Sequence, residues 1–376
     1  IMTDTEKEIT KTITSIGDKL NNEYLKAGTM SKQKRIVYDL YAYVCLFDEL
    51  FEKEPKYIWN INEDLIPTDD NFINILNRDK KYFLELSKSV INSFISEDYS
   101  LYKDYYKKLP KLNYNEMIDI LMSFLKDFDN DIYLKLSNKG KEGKIIETQI
   151  NYYGYVLPFE SIKDSVIVIN NDSDIYNLSF MSTLAHECGH LFEIEHLYSQ
   201  DNITFRRDSM SSIYCEVSST FFEYAFLRYL EDNKIFENSV NLVLNEYYMK
   251  LFIHNFYINL ISMKKNINSI DGYVYIKEEN ISKYADYIID KVNFYNMLSY
   301  KYGLDYRNIY IYGIGYLFAI HMYEKYKEDK EYFKNELKKS FLVYPNDSSL
   351  EAFKNIGINY EEIKSGKLLR KILRNR

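Results

Sequence analysis

The residue types best suited to chemistry in this chain stand together near its middle, in the segment His186-Glu187-Cys188-Gly189-His190. Residues four apart on an α-helix lie one above the other on the same face, so His186 and His190 can bring two imidazoles to one point. Two imidazoles at that spacing suit two ligand positions of a tetrahedral Zn²⁺ ion. Glu187 follows the first histidine directly, where its carboxylate can take a proton from a water held at the metal. The spacing therefore predicts a hydrolytic zinc site on a helix.

The residues around the motif favour a helix that is buried on one side. Leu184, Leu191 and Phe192 supply apolar side chains, and no proline interrupts the segment. The chain has five histidines in all, so two of them bracketing a glutamate at this spacing are not expected by chance. The competing interpretation is a helix whose histidines pack or cap without binding a metal.

A hydrolytic zinc site needs a third protein ligand and leaves the fourth position open. His196 follows His186 by ten residues, where metzincins place a third histidine, but that arrangement needs a glycine where this chain has Glu193. Glu216 is the better candidate, because a carboxylate from a following antiparallel helix completes a set of two histidines and one glutamate. Glu223 and Glu193 are weaker candidates and are more typical of a supporting role.

The helix that carries Glu216 also carries Ser219, Thr220 and Glu223. We predict that these three side chains orient the histidine rings. At the start of the metal helix, Ser179 or Ser182 is predicted to be the N-terminal cap. Before it, residues 144–157 and 165–170 are rich in β-branched and aromatic side chains and predict a small sheet. An edge strand of that sheet either holds an extended peptide by main-chain hydrogen bonds or only packs on the metal helix.

The rest of the sequence predicts helices. Their apolar spacing recurs over 4–28, 31–53, 70–96, 99–108 and 114–127, and again from about 207 almost to the end, with a loop near 301–315. The predicted fold class is mainly α with a small β-sheet. We expect residues 1–143 to form a helical wall of a cleft, and residues 144–376 to form one continuous catalytic region.

The net charge and the cysteines of the chain limit the partners that the protein can bind and the compartment that suits it. A net charge of −8 argues against a surface for nucleic acid or for anionic membranes. Cys45, Cys188 and Cys215 are an odd number and widely spaced, which indicates no disulfide framework and suits a reducing compartment. The sequence shows neither a signal peptide nor an apolar run long enough to span a membrane. The expectation is a cytoplasmic protein that acts on peptides, with its oligomeric state left open.

Two motifs, taken together, resemble those of a known family. His186-Glu-x-Gly-His190 is followed, after a gap of 25 residues, by Glu216-Val-Ser-Ser-Thr-Phe-Phe-Glu223. This pair resembles the M3 metallopeptidases, the group of thimet oligopeptidase and oligoendopeptidase F. The likeness continues at 153–155 and 166–170 upstream, and at 310–319 and 348–358 downstream, where 310–319 is similar to the tyrosine-rich substrate loop of the family.

The resemblance implies a zincin-like (gluzincin) fold with a cleft between helical lobes, and a zinc-dependent endopeptidase acting on short unstructured peptides. It implies one Zn²⁺ per chain, held by His186, His190 and Glu216, with Glu187 as general base. A tyrosine hydroxyl would donate to the oxyanion that develops in the transition state. The candidates are, in order, Tyr316, Tyr312 and Tyr310.

The sequence departs from the family in two places. The family usually carries a histidine shortly before the tyrosines, whereas residues 303–307 contain none, and Tyr306 or Arg307 would have to replace it. The region before the zinc motif is also shorter than is usual in the family. Two other functions stay open: an exopeptidase on a related scaffold, and a non-catalytic zinc protein that binds peptides. The presence of Glu187 argues against the second.

Overall fold

The computed structural model describes residues 3–51, 70–93, 105–150, 153–201, 212–263, 306–342 and 349–375. Helices make up most of these ranges. They are α1 (Asp4–Lys26), α2 (Met30–Phe51), α3 (Asp70–Ser93), α4 (Tyr105–Lys108), α5 (Tyr114–Phe128), α6 (Asn130–Lys141), α7 (Leu178–Tyr198), α8 (Ser212–Asp232), α9 (Glu237–Met263), α10 (Tyr306–Glu328), α11 (Lys330–Ser340), α12 (Ser349–Asn355), α13 (Tyr360–Ser365) and α14 (Lys367–Arg374). The strands are β1 (Ile145–Thr148), β2 (Gly154–Phe159) and β3 (Asp164–Asn170).

The predicted fold class, mainly α with a small sheet, is confirmed. The helices predicted in the front third correspond to α1, α2, α3 and α5, and of the stretch 99–108 the part that the structure describes is α4. Helix α6 was not predicted. It follows α5 after one residue, Asp129, whose carboxylate accepts hydrogen bonds from the N–H groups of Asp131 and Ile132 and so caps the new helix.

The sheet has the order β1-β3-β2, with β1 parallel and β2 antiparallel to the central strand. Every residue of β3 is buried, because both faces of the strand are covered. Val166 and Val168 pack in a cluster with α1 and α2, whereas Ile167 and Ile169 face the larger core that contains α7 and α8. The sheet thus forms a layer between the first two helices and the helices of the candidate site.

The front third also contributes to the larger core. The ring of Phe128, at the end of α5, lies 5.7 Å from that of Phe192 on α7 and 4.5 Å from that of Phe222 on α8, between centroids. Side chains from both sides of the predicted boundary at 143/144 therefore share one core. The division into a cleft wall and a catalytic region stays a prediction.

The predicted loop near 301–315 is wrong for the residues that the structure describes, because the backbone is helical from Tyr306 onwards in α10. Residues 301–305 lie outside the described ranges. Gly313 and Gly315, which the structure describes, do not break the helix. Gly315 lies against α8, where an added Cβ would stand 3.0 Å from Cγ2 of Val217, so this glycine allows the two helices to pack closely. None of the described helices contains an 18-residue stretch apolar enough to cross a membrane.

Candidate metal centre

The motif helix α7 begins after Asn177, whose side-chain oxygen accepts a hydrogen bond of 3.1 Å from the N–H of Phe180. The prediction that Ser179 or Ser182 caps the helix is wrong, because both lie inside its first turns. Asn177 was equally suited by residue type, and the sequence could not rank three neighbouring polar residues. The helix continues through His196 and ends at Tyr198.

A glycine lets the next helix approach the motif. A Cβ added at Gly189 would stand 2.7 Å from the Cα of Ser219 and 3.1 Å from the Cβ of Phe222, so α7 and α8 touch at this point. This contact brings Glu216 opposite the two histidines. Sequence reasoning did not single out Gly189, although a glycine inside a strongly helical segment is a signal of close packing.

Three potential ligands converge between α7 and α8. His186, His190 and Glu216 each offer one atom, and these atoms lie within 4.8 Å of one another; no other such group occurs within the part of the chain that the structure describes. Nε2 of His186 lies 3.3 Å from Oε2 of Glu216, and Nε2 of His190 lies 3.5 Å from Oε1. Both imidazoles therefore turn the same ring nitrogen towards one carboxylate, which is the donor set of a hydrolytic zinc site.

Negative charge is concentrated around this point. Burial alone would lower the pKa of His186, but the hydrogen bond and charge of Glu216, together with Glu187 and Glu223, raise it to about 9. Burial would likewise raise the pKa of the Glu216 carboxyl, but His190 and His186 outweigh this and hold it well below its usual range. Three carboxylates around two imidazoles are an environment that favours a cation.

Ser219 fixes the orientation of the second histidine. Its Oγ lies 2.8 Å from Nδ1 of His190 and 3.0 Å from the backbone oxygen of Cys215. A hydroxyl has one proton, and the carbonyl can only accept, so Ser219 donates to Cys215 and accepts from the Nδ1–H of His190. The lone pair of His190 is then on Nε2, on the side of Glu216. This bears out the geometry expected of a residue that supports a ligand.

The first histidine is supported by a longer series of contacts. Nδ1 of His186 lies 3.9 Å from Oε2 of Glu223, and the other oxygen of Glu223 accepts a hydrogen bond of 3.0 Å from Ser182. On α9, Lys250 lies 3.8 Å from Glu223 and 3.4 Å from the buried Glu246. Sequence reasoning missed this lysine and Glu246, because nothing in the local pattern indicates that α9 lies beside the motif.

Thr220, the third residue predicted to orient the rings, does something else: its hydroxyl donates a hydrogen bond of 2.8 Å to the backbone oxygen of Glu216. Glu187 is held from the side of the sheet, not from α8. Its Oε2 accepts a hydrogen bond of 3.1 Å from the backbone N–H of Val156, in β2. The edge of the sheet therefore lies directly beside the motif, on the side of the candidate base.

Glu223 lies beside His186, as described above, whereas the alternative ligands His196 and Glu193 do not belong to the cluster. His196 lies in the last turn of α7, where burial and the charges of Lys338 and Lys135 lower the pKa of its imidazole to about 4. Glu193 is fully buried and accepts a hydrogen bond of 3.3 Å from the thiol of Cys215. The neighbouring Cys188 is also buried, and burial together with the charge of Glu187 raises the pKa of its thiol to about 12.

Of the three candidate tyrosines, the structure describes the side chain of Tyr316. It is buried in α10, and its ring meets that of Tyr247 edge to face, with 4.2 Å between centroids. The ammonium of Lys250 lies 5.9 Å from the centre of the Tyr316 ring. Burial raises the pKa of the hydroxyl, which is therefore protonated at neutral pH. Tyr310 and Tyr312 lie in the same helix, but their side chains are outside the described part of the structure.

Comparison with known proteins finds similar structures but no similar sequence. No protein-family model and no curated protein matches the sequence. One similar crystal structure is described as an oligoendopeptidase F. The alignment covers 99% of this chain and 81% of the oligoendopeptidase chain, at 11% sequence identity and a TM-score of 0.54. PZ peptidase A, solved with an inhibitor, aligns with 95% of this chain and 79% of its own, at 11% identity and a TM-score of 0.55.

At such low identity these alignments establish a common fold. They cover nearly the whole chain. The resemblance to M3-type peptidases that the sequence indicates is therefore confirmed at the level of the fold, and the chain adopts the architecture of the oligoendopeptidase structures.

Proposed function

We propose that this protein is a zinc-dependent peptidase that hydrolyses internal bonds of short, unstructured peptides. The observation that carries the proposal is the convergence of His186, His190 and Glu216 on one point, with the carboxylate of Glu187 beside it. Two features support it: the shared fold, and the name oligoendopeptidase given to one of the similar structures.

The donor set fits zinc. Two neutral imidazole nitrogens and one carboxylate oxygen are the ligands of many hydrolytic zinc sites, and they leave a fourth position open. Ser219 accepts from Nδ1 of His190, and the carboxylate of Glu223 lies 3.9 Å from Nδ1 of His186, so both rings turn Nε2 towards Glu216, where a metal would bind. When bound, zinc would supply a water acidic enough to ionise near neutral pH and would polarise the peptide carbonyl.

The chain's own residues then handle the proton. Glu187 accepts a hydrogen bond at Oε2 from the N–H of Val156, and its carboxylate would take a proton from water and return it to the leaving amine. A tyrosine hydroxyl would donate to the carbonyl oxygen as negative charge develops there. Tyr316 stays our first candidate for that role, since it is protonated and lies next to Lys250.

Glu187→Gln tests the assignment, because it removes the base and keeps the shape of the side chain. The purified variant should hold one zinc ion per chain, as we expect of the parent protein, and kcat should fall about 10²- to 10⁴-fold. The substrate should be a fluorogenic peptide blocked at both ends, which an endopeptidase cleaves and an exopeptidase does not. If the parent protein binds zinc and peptide without cleaving any peptide, it is a peptide-binding protein and the proposal is wrong.

A further inference from the structure

The strand beside the candidate base presents half of its backbone groups to the site. The carbonyl of Tyr153 accepts from the N–H of Asn170, so odd-numbered residues of this segment face β3. The N–H of Ile167, the partner of Val156 in register, is directed to Lys144 on the β1 side. The N–H of Val156 therefore points away from the sheet, as peptide groups alternate along a strand.

Pro158 agrees with this orientation. It has no N–H and lies in the same strand, two residues after Val156, on the same outward-facing set. Proline is tolerated in a strand where the missing N–H would face away from the neighbouring strand. In the described part of the structure, β2 is an edge strand, and its outward N–H groups are not used by the sheet.

The distance between this edge and the motif helix is set by a glycine. An added Cβ at Gly154 would stand 2.9 Å from the backbone oxygen of Val168 and 3.2 Å from Cδ2 of Leu184. Leu184 lies one turn before Glu187 on α7, just as Gly154 lies two residues before Val156 on β2. The strand thus runs along the helix with two contacts in sequence, Gly154 against Leu184 and Val156 against Glu187.

Resting on the proposed function, we propose that the outward edge of β2 is a positioning element for the base, in which the N–H of Val156 fixes Oε2 of Glu187. A free glutamate on a helix surface samples several rotamers, and one hydrogen bond from a rigid strand restricts it to one of them. A carboxylate held in one orientation would present the same oxygen to the water in every catalytic cycle. Gly154 contributes by letting the strand come close enough for this bond to form.

The hydrogen bond from Val156 to Glu187 should affect proton transfer and not substrate binding. Substrate binding does not require Glu187 to be oriented, whereas proton transfer does, so loss of the bond should lower kcat and leave KM unchanged. Zinc content should also stay the same, because neither Val156 nor Gly154 belongs to the three candidate ligands.

The decisive experiment replaces the peptide bond between Tyr155 and Val156 by an ester, which removes one N–H and weakens the carbonyl of Tyr155 as an acceptor, a change that the control shares at the carbonyl of Lys144, which also accepts from β3. An ester placed before Ile145, at the opposite edge of the same sheet, is the matched control. We expect kcat of the first variant to fall about 10- to 100-fold, as for the loss of a hydrogen bond to a charged group, with unchanged KM and zinc content. The control should keep the kcat of the parent protein.

Gly154→Ala provides a second variant that needs no unusual chemistry and should lower kcat in the same way. Thermal unfolding of each variant shows whether the fold is retained. Unchanged kcat in the folded ester variant would overturn the inference and leave the peptidase assignment intact. Failure of the parent protein to cleave any peptide in the presence of zinc would instead contradict the proposed function itself.

Discussion

The hydroxyl of Ser219 lies 2.8 Å from Nδ1 of His190 and directs the opposite ring nitrogen towards Glu216. Ser219→Ala should weaken zinc binding about 10- to 100-fold, as is typical when the partner of a ligating histidine is lost. Competition with a chromogenic chelator measures the dissociation constant directly.

The neighbouring Ser218 offers a matched control. It is equally buried and also donates to the backbone oxygen of Cys215, at 2.9 Å, but it stands about 100° further round the helix. Ser218→Ala should leave zinc affinity unchanged. An equal loss of affinity in both variants would indicate a general effect on α8 rather than support of His190.

The close contact of α7 and α8 at Gly189 should be intolerant of any side chain. Gly189→Ala places a Cβ 2.7 Å from the Cα of Ser219, so the helices must separate, at a cost of about 1–3 kcal/mol for overpacking. The separation should also reduce zinc content, because Glu216 moves with α8. Denaturant unfolding and metal analysis measure the two effects.

Gly140→Ala in α6 is the control for this substitution, because its added Cβ would meet nothing nearer than 3.6 Å. Replacing a helical glycine by alanine where the new Cβ makes only ordinary van der Waals contact is stabilising by roughly 0.5–1 kcal/mol. If Gly189→Ala behaved like Gly140→Ala, the contact between the two helices would not be as tight as the structure indicates.

Lys250 is expected to support the site from α9. It stands near both Glu223 and the buried Glu246, so Lys250→Met would leave these two carboxylates without that cation. We expect the contact between Glu223 and His186 to be disturbed, with zinc affinity lowered about tenfold. Lys250→Arg keeps the charge and should recover much of this affinity. A loss of the same size in both variants would mean that packing, not charge, is what Lys250 provides.

A second group of charged residues, away from the candidate site, should make the free energy of unfolding depend on pH. Asp164, at the start of β3, lies 3.0 Å from Lys144 and 3.6 Å from Lys139. Burial opposes ionisation of Asp164, but the two lysines outweigh it and lower the pKa of the carboxyl. Its contribution is therefore present above the unfolded pKa of about 4 and is lost as pH falls through the folded value.

Asp164→Asn should consequently destabilise the protein at pH 7 and have a smaller effect near pH 2–3. The loss at pH 7 should stay below the ~3–5 kcal/mol typical of a broken buried pair, because Lys139 keeps Glu195 at 3.0 Å. Urea unfolding at several pH values measures this dependence. A loss that is independent of pH would contradict the assigned role of the charge.

The parts of the site that depend on local spacing were predictable from the sequence. His186 and His190 share a face because they are four residues apart on a helix. Glu216 follows closely enough in the sequence that the next helix, running back along the first, can place it opposite them. The strand β3 was predicted from its β-branched run. In each case the information lies within about thirty residues.

The parts that depend on packing between distant segments were not. Lys250 and Glu246 reach the site only because α9 lies beside α8, and Gly189 matters only because α8 crosses α7 there. The segment 301–315 was predicted to be a loop, yet α10 begins at Tyr306, and Gly315 lies inside this helix, where it allows close contact with Val217. Residue types alone do not show which helix a glycine will meet.

Zinc content, measured on the parent protein and three single variants, tests the central claim most directly. The parent protein and His196→Ala should each hold one zinc ion per chain after purification with zinc and dialysis. His186→Ala and Glu216→Ala should hold little or none, because each removes one of three converging ligands. Retention of zinc by Glu216→Ala together with its loss from His196→Ala, or absence of zinc from the parent protein, would contradict the assigned site.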